Sequence, residues 1–360
     1  MLSVVNFSGC LNSETTNTWA FKAIQIDKLQ SLGLDGTGVV IGVIDTGVYR
    51  DHVEFDKNTF IVWRDYVKDA KQPYDDNGHG THIMGILFSK GSISGPISGY
   101  HLKGVCPNAR AVVVKAVSEL GEADDKDVAA AIDFCVAQGA DIILLSLAKN
   151  PETINVGERT QQSCEDALKK GVFIVAPAGD DGKADDGDVN ILAGIPGVIA
   201  VGSIQKNGYI SSFSSKGNQA WVPGKHAERT DPNKKPELIA PGEEIISTAP
   251  NNGYLSSSGT SQAAAYVAGV LALLIQAYPQ YKHGNNDGLN SINKIKEVLA
   301  ETAYKTGGTD IYNGLILTHN DRYGYGVIQA YKAYVELGRR KNGCLLRRDK
   351  CIHSWRRRHC

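Results

Sequence analysis

The chain has 360 residues, of which 42% are hydrophobic and 21% are charged, a composition typical of a globular protein with one large core. It contains no run of 18 apolar residues, so we expect no transmembrane helix and no membrane partner. The formal net charge of −1 conceals a basic C-terminus, since residues 338–360 carry nine Lys or Arg and one Asp. Charge alone is weak evidence for a nucleic-acid partner, and we expect none.

Residues 1–20 are polar and lack a periodic pattern, which predicts an irregular N-terminal arm. The first ten residues lack the basic stretch and apolar core of a secretory signal. The lack of a signal favours a cytoplasmic location if Met1 is the natural start of the protein. If the N-terminus is incomplete, we expect a secreted protein instead. Seven cysteines, an odd number, do not suggest a disulfide framework. Cys135 lies in an apolar run, and we expect it in the core.

Apolar runs then alternate with amphipathic stretches. The runs that predict buried strands cover residues 39–45, 112–117, 142–147, 172–176 and 198–203. The stretches that predict helices cover residues 127–138, 162–170 and 291–302. A polar stretch over 218–235 predicts a surface excursion. The alternation predicts an α/β fold, with a three-layer, doubly wound, mostly parallel sheet that carries helices on both faces.

Three motifs supply an acid, a base and a nucleophile: Asp45-Thr-Gly, Gly-His79-Gly-Thr-His and Gly-Thr-Ser261. A serine hydroxyl needs a neutral imidazole to take its proton, and a buried carboxylate fixes the imidazole tautomer. Asp45 ends a predicted strand, whereas His79 and Ser261 each open an apolar helical stretch. A helix N-terminus directs N–H groups at a developing oxyanion. The motifs therefore indicate a serine endopeptidase that cleaves protein or peptide substrates through an acyl-enzyme.

With these motifs the chain resembles the subtilisin-like serine peptidases (subtilases, peptidase family S8) from about residue 24 to residue 337. The order Asp, His, Ser is the order found in that family. The resemblance also covers Lys103-Gly-Val-Cys-Pro-Asn-Ala, Val198-Ile-Ala-Val-Gly-Ser and Ile239-Ala-Pro-Gly. It implies a subtilisin-like peptidase domain over 21–337, followed by a basic, disordered tail over 338–360. We expect a monomer.

The residue expected to stabilise the oxyanion departs from the family pattern. In subtilases an Asn donates its side-chain amide there, and the matching turn in this chain carries Asp180 instead. An ionised carboxylate only accepts hydrogen bonds. Either Asp180 is protonated and donates, which favours activity at lower pH, or the Ser261 backbone N–H provides most of the stabilisation. The alternative is a catalytically weak or silent peptide-binding protein of the same fold.

The resemblance also implies which residues bind substrate. The family's Ser-Leu-Gly-Gly segment, which pairs with an extended substrate, appears as Ser146-Leu147-Ala148-Lys149. The remaining candidates are Gly121 and Glu122 on the opposite rim, and Ala178 and Gly179 beside Asp180. Acidic residues on both sides predict a preference for basic side chains near the scissile bond, and solvated acidic loops are the alternative. These acids are Glu122, Asp124, Asp125, Asp181, Asp185, Asp186 and Asp188.

The proposed chemistry requires no cofactor. Structural calcium is common in the family, and Glu54 and Asp51 are the nearest candidate ligands. Two carboxylates fall short of the six to eight oxygens that calcium binds, so solvated or salt-bridged roles are the alternative. The alternative to a disordered tail is that the basic residues of 338–360 bind in the acidic cleft and act as an inhibitory segment.

Overall fold

The structure is a computed structural model. It describes residues 16–91, 102–147, 154–155, 157–182, 188–217, 219–222, 225–305, 311–312, 315–316 and 319–341. Several residues named above therefore lie outside the described residues: Ala148, Lys149, Asp185, Asp186, residues 1–15 of the predicted arm and residues 342–360 of the predicted tail.

Helices and strands alternate through the described chain. The helices are α1 (Thr18–Ala23), α2 (Ile26–Ser31), α3 (His79–Phe88), α4 (Asp125–Ala137), α5 (Glu158–Lys169), α6 (Ile191–Gly194), α7 (Thr260–Ala277) and α8 (Leu289–Thr302), with a 3₁₀ turn at Pro279–Tyr281 and a further helical stretch over 330–341. The strands are β1 (Val40–Asp45), β2 (Phe60–Asp65), β3 (Arg110–Lys115), β4 (Ala123–Asp124), β5 (Ile142–Leu145), β6 (Ile154–Asn155), β7 (Phe173–Pro177), β8 (Ile199–Ile204), β9 (Gln219–Val222), β10 (Lys225–Glu228), β11 (Leu238–Pro241), β12 (Ile245–Ala249), β13 (Gly253–Ser257), β14 (Ile311–Tyr312) and β15 (Leu315–Ile316).

Seven strands form one parallel sheet in the order β11-β8-β7-β5-β1-β3-β2. Most of them are short runs of Val, Ile and Leu that are buried along their length, as expected for a sheet covered on both faces. The chain starts at β1, adds β2 and β3 on one side, and then adds β5, β7, β8 and β11 on the other. The order therefore reverses beside β1, where the carboxyl ends of the strands leave a crevice. The predicted α/β, doubly wound fold is confirmed.

Helices cover the sheet in two groups. α4 and α5 pack against each other and against β1, β3 and β7, whereas α7 packs against α3 and against five strands of the sheet, β1, β5, β7, β8 and β11. Cys135 in α4 is fully buried against Gly42 in β1, where a Cβ would lie 2.7 Å from its sulfur, so its predicted core position is confirmed. Among the described helices, α7 alone has the length and hydropathy of a membrane span, but 89% of it is buried inside the fold.

The predicted surface excursion over 218–235 is partly wrong. It does contain the two short strands β9 and β10, but Lys235 is fully buried and Arg229 is 7% exposed. The Lys235 ammonium lies 2.7 Å from a carboxylate oxygen of Glu237, and Lys296 of α8 lies 2.7 Å from the same oxygen. The polar composition of this stretch therefore reflects buried ion pairing as well as solvent exposure.

Both predicted boundaries of the peptidase domain differ from the described structure. Helix α1 begins at Thr18, inside the predicted irregular arm, and the Asn17 side chain donates to the Ile246 carbonyl at 2.7 Å. The helical stretch over 330–341 passes through the predicted boundary at residue 338. Arg340 in this stretch pairs with Glu301 and, at 3.7 Å, with Glu297 of α8, so the stretch is held to the fold beyond residue 338.

Candidate active site

Asp45 and His79 are joined by a hydrogen bond at the carboxyl edge of the sheet. Asp45 is the last residue of β1, His79 is the first residue of α3, and the His79 Nδ1 lies 2.8 Å from the Asp45 Oδ1. The Asp45 side chain is 1% exposed and its Oδ1 also accepts from the Thr46 N–H at 2.6 Å, whereas the His79 side chain is 31% exposed. A ring that donates from Nδ1 leaves Nε2 as the proton acceptor.

The glycines of the first two motifs allow the two segments to approach closely. A Cβ at Gly80 would lie 2.1 Å from the Gly47 carbonyl oxygen and 3.1 Å from the Asp45 Oδ1. Gly47 has a φ of +121°, and a Cβ there would lie 2.0 Å from the Tyr74 carbonyl oxygen. Any larger residue at position 80 would therefore separate His79 from Asp45.

Three carboxylates determine the protonation of His79. Burial lowers the pKa of His79, but the charge and hydrogen bond of Asp45, assisted by the charges of Asp75 and Asp180, outweigh burial and raise it overall. His82, one turn along α3, behaves in the opposite way. Burial and the neighbouring His79 lower the pKa of His82 to about 4, so this ring is neutral at physiological pH. The acidic surroundings thus favour the imidazolium form at His79 only.

Ser261 is the second residue of α7 and lines the same cleft as His79 and Asp45. It is 4% exposed. Because the first N–H groups of a helix have no partner within the helix, this position directs donors and the positive end of the helix dipole at the cleft. The cleft has a volume of about 170 Å³ and is lined by Asp45, Thr46, Asn77, His79, Val117, Gly121, Ser146, Leu147, Asp180, Ser257, Ser258, Gly259, Ser261 and Gln262.

Asp180 lies after β7 and binds the N-terminus of α7. Its Oδ1 accepts from the Thr260 N–H at 2.8 Å and from the Thr260 hydroxyl at 2.9 Å. Burial raises the pKa of Asp180, although the hydrogen bonds from Thr260 and the charge of His79 oppose this increase. The carboxyl group therefore anchors the helix that carries Ser261, and the protein atoms packed around it raise its pKa although Asp180 is open to solvent in the cleft.

The structure brings some of the predicted substrate-binding residues to the cleft. Gly121, Ser146 and Leu147 line it, whereas Ala178 is fully buried and Gly179 donates its N–H to the Thr260 hydroxyl at 3.2 Å. Ala178 and Gly179 therefore support Asp180 and do not line the cleft. Glu122 is exposed and is also outside the lining.

Two of the acidic residues predicted near the cleft have structural partners. Asp125 accepts from the N–H groups of Gly157 and Thr160 at 2.7 and 3.0 Å, at the start of α5. Asp188 forms two hydrogen bonds to Arg229 at 2.7 and 3.1 Å. These two carboxylates therefore have structural roles, and the preference for basic side chains stays a prediction that rests mainly on the other acids. The acids that remain exposed among the described candidates are Glu122, Asp124 and Asp181.

Sequence reasoning missed several residues that line the cleft. Asn77 precedes His79 by two residues, and Gln262 directly follows Ser261, so proximity to the motifs was the available signal. Gln262 is 2% exposed, and its amide nitrogen lies 3.4 Å from the His82 Nδ1. Thr46 belongs to the first motif and carried the same signal, whereas Val117, Ser257 and Ser258 lie outside the motifs and line the cleft through folding.

The two candidate calcium ligands lie in different environments. Glu54 is fully buried and accepts from the Tyr254 hydroxyl at 2.9 Å, whereas Asp51 is exposed. Within the described ranges no group of three or more His, Cys, Asp or Glu side chains is arranged to hold a metal. The two carboxylates do not form a ligand set together, and calcium binding stays a prediction.

Comparison with known proteins agrees with the fold and with the expected family. The sequence profile of the subtilase family matches residues 36–326. Subtilisin DY of Bacillus licheniformis is 28% identical over 84% of this chain and 97% of its own length. Thermitase of Thermoactinomyces vulgaris is 31% identical over 83% of this chain and 89% of its own length. The solved structure of the prenylagaramide maturation protease PagA shares the fold, with a TM-score of 0.65, 23% identity, and coverage of 87% of this chain and 98% of that one.

Proposed function

The chain belongs to the subtilase family and is a serine-type endopeptidase, and we propose that Ser261, His79 and Asp45 carry its chemistry. The observation that supports this assignment is the 2.8 Å hydrogen bond between His79 and Asp45 in a cleft that Ser261 also lines. The proposed reaction is hydrolysis of a peptide bond through an acyl-enzyme on Ser261.

In the first step the Ser261 hydroxyl attacks the scissile carbonyl carbon while His79 Nε2 takes the hydroxyl proton. Asp45 holds the ring through Nδ1 and stabilises the imidazolium that forms. His79 then gives the proton to the leaving amine, whose departure produces the acyl-enzyme. A water molecule, deprotonated by His79, attacks the ester and releases the acid and the free serine.

The tetrahedral intermediates carry a negative oxygen. The N-terminus of α7 supplies the Ser261 backbone N–H, and Asp180 supplies a second donor when its carboxyl group is protonated. The raised pKa of Asp180 supports the second donor, because burial already disfavours the charged form. The predicted dependence on lower pH follows from this requirement.

We also propose that Ser146 and Leu147 bind one side of an extended substrate and that Gly121 binds the other. The exposed carboxylates of Glu122 and Asp181 favour basic side chains on that substrate. Charge reversal at either residue should reduce kcat/KM for arginine-containing peptides more than for their alanine analogues. The control is Asp69→Lys, on an exposed loop outside the cleft lining. An equal loss for both peptide classes would remove the charge preference from the proposal.

The proposed nucleophile is tested with a fluorophosphonate probe, because only an activated serine forms the covalent adduct. We expect the wild-type protein to be labelled and Ser261→Ala to be unlabelled. Ser258→Ala is the matched control, since Ser258 lines the same cleft and its hydroxyl accepts from the Glu244 N–H at 2.9 Å. An unlabelled wild-type protein would favour the silent peptide-binding alternative, and labelling of Ser261→Ala would reject Ser261 as nucleophile.

A further inference from the structure

Asp75 is not one of the three proposed catalytic residues, yet its carboxylate contacts both segments that carry Asp45 and His79. It lies in the loop between β2 and α3. Its Oδ1 accepts from the hydroxyl of Thr46, the residue after Asp45, at 2.9 Å, and from the Gly78 N–H, next to His79, at 2.8 Å. One oxygen atom therefore joins the end of β1 to the start of α3.

The second oxygen of Asp75 extends this connection into α3. Its Oδ2 accepts from the Thr81 N–H at 2.8 Å and from the Thr81 hydroxyl at 2.6 Å. The Thr81 hydroxyl in turn accepts from the Tyr49 N–H at 2.9 Å, in the segment that follows β1. The Thr46 hydroxyl accepts from the Gly80 N–H at 2.9 Å, which closes the network from the other side.

These hydrogen bonds lie where the end of β1 and the start of α3 are in close contact. A Cβ at Gly80 would lie 2.1 Å from the Gly47 carbonyl oxygen, so the backbone there has no room for an alternative packing. Hydrogen bonds fix direction as well as distance, because they weaken steeply when they are bent. The hydrogen bonds of the Asp75 and Thr46 side chains therefore fix how α3 meets the end of β1.

We propose that Asp75 is a positioning residue of the active site, whose carboxylate holds His79 against Asp45 through Thr46, Gly78 and Thr81. This inference rests on the proposed roles of Asp45 and His79. It assigns no contact between Asp75 and substrate. Its catalytic effect is geometric, since a misplacement of about 1 Å in such a site can reduce the rate about 10²-fold.

The charge of Asp75 gives the proposal a second readout. The groups whose charges act on His79 are Asp45 at the end of β1, Asp75 in the preceding loop, Asp180 after β7, and His82 in α3. The three carboxylates stabilise the imidazolium. Removing the charge of Asp75 should therefore lower the pKa of His79, and the acidic limb of the activity profile should move to lower pH.

The first test is Asp75→Asn, which keeps the size of the side chain but replaces one acceptor oxygen with an amide group. We expect kcat to fall on the order of 10²-fold with KM little changed, and the acidic limb to move to lower pH. The matched control is Asp69→Asn, which removes an exposed carboxylate of the same loop, where it pairs with Arg64 and Lys71. An Asp75→Asn profile that coincides with the Asp69→Asn profile would overturn the proposal.

A second pair of variants separates position from charge, and remains available if Asp75→Asn does not fold. Thr46→Val removes the hydroxyl that joins Asp75 to the Gly80 N–H, whereas Thr46→Ser retains a hydroxyl. We expect kcat to fall for Thr46→Val and to stay close to the wild-type value for Thr46→Ser. Equal kcat values for these two variants would refute the positioning role.

Nuclear magnetic resonance provides a readout that does not depend on turnover. In the Ser261→Ala background, the His79 ring is titrated and its Nδ1 proton resonance is observed. We expect Asp75→Asn to lower the pKa of His79, and Thr46→Val to shift the Nδ1 resonance. If the wild-type protein fails to react with the fluorophosphonate while these shifts occur, the proposed function fails and the positioning role stands. If the protein is active and neither shift occurs, the positioning role alone fails.

Discussion

Replacing Asp180 with Asn tests the most unusual feature of the site. The Asp180 Oδ1 accepts from Thr260 at 2.8 and 2.9 Å, and the oxygen of Asn can keep both bonds. Its amide nitrogen would then replace Oδ2, which lies 3.2 Å from the position of a Cβ on Gly259, a residue of the cleft lining. The substitution therefore exchanges an acceptor for a permanent donor at the cleft while leaving the anchor of α7 in place.

The size of the effect follows from the chemistry of one donor. A single oxyanion donor is worth about 10²–10³ in kcat, or about 2.7–4 kcal/mol. We expect kcat of Asp180→Asn to exceed that of the wild type at neutral pH by up to this factor, and the advantage to shrink at acidic pH, where Asp180 itself carries a proton. The unfolding free energy should change by only about 1 kcal/mol, because two charge-assisted hydrogen bonds from Thr260 become neutral ones.

The assay is kcat for an uncharged peptide substrate between pH 5 and 9, with Asp181→Asn as the control for loss of one adjacent negative charge. An unchanged or lower kcat for Asp180→Asn at neutral pH would refute the donor argument. The same increase in Asp181→Asn would assign the effect to net charge.

Four further predictions concern stability, steric fit and cysteine chemistry. Glu237→Gln removes the carboxylate that pairs with two buried side chains, those of Lys235 and Lys296. The unfolding free energy measured in urea should fall by about 3–5 kcal/mol, because two buried amino groups lose their counter-charge. A loss below about 1 kcal/mol would contradict a buried ion-pair network. Burial lowers the pKa of Lys235 from 10.5 to about 7, so between these two pH values the unfolded chain binds more protons than the folded chain. The unfolding free energy should therefore rise with pH in this range, and Lys235→Met should remove most of that rise. Gly80→Ala should reduce kcat on the order of 10²-fold, and full activity would show that α3 can move away from Gly47. Iodoacetamide should leave Cys106, Cys135 and Cys164 unmodified in the folded protein, because they are buried and burial raises the pKa of each thiol; alkylation of any of the three, detected by peptide mass spectrometry, would contradict their burial.

The sequence predicted five of the seven strands of the sheet, β1, β3, β5, β7 and β8, because each is a continuous apolar run, and it did not predict β2 or β11. The run predicted at 39–45 is strand Val40–Asp45, and the run at 198–203 is strand Ile199–Ile204. His79 and Ser261 were expected at helix N-termini, and they are the first residue of α3 and the second residue of α7. These features depend on local composition and on glycine placement, which are visible in a single sequence.

The partners of charged residues could not be predicted in the same way. Asp125 and Asp188 are separated in the sequence from the groups they bind by 32 and 41 positions, and only the folded chain brings each pair together. The same holds for Lys235, whose polar neighbours suggested solvent but whose ammonium lies beside Glu237. A charge pattern therefore predicted an acidic rim, whereas the fold uses part of that charge for helix ends and ion pairs.

His79 and Asp180 affect the pH range of activity from opposite sides. His79 accepts a proton only when neutral, and the charges of Asp45, Asp75 and Asp180 raise its pKa, which removes activity at the acidic end. Asp180 donates to the oxyanion only when protonated, so its ionisation removes activity at the basic end. The two titrations are coupled, since each charged form stabilises the other. Asp180→Asn should therefore widen the profile at the basic end, because it supplies a permanent donor, and should leave the acidic end unchanged where Asp180 already carries a proton. A shift of the acidic limb to lower pH in Asp180→Asn would mean that Asp180 is still ionised in the pH range where His79 titrates.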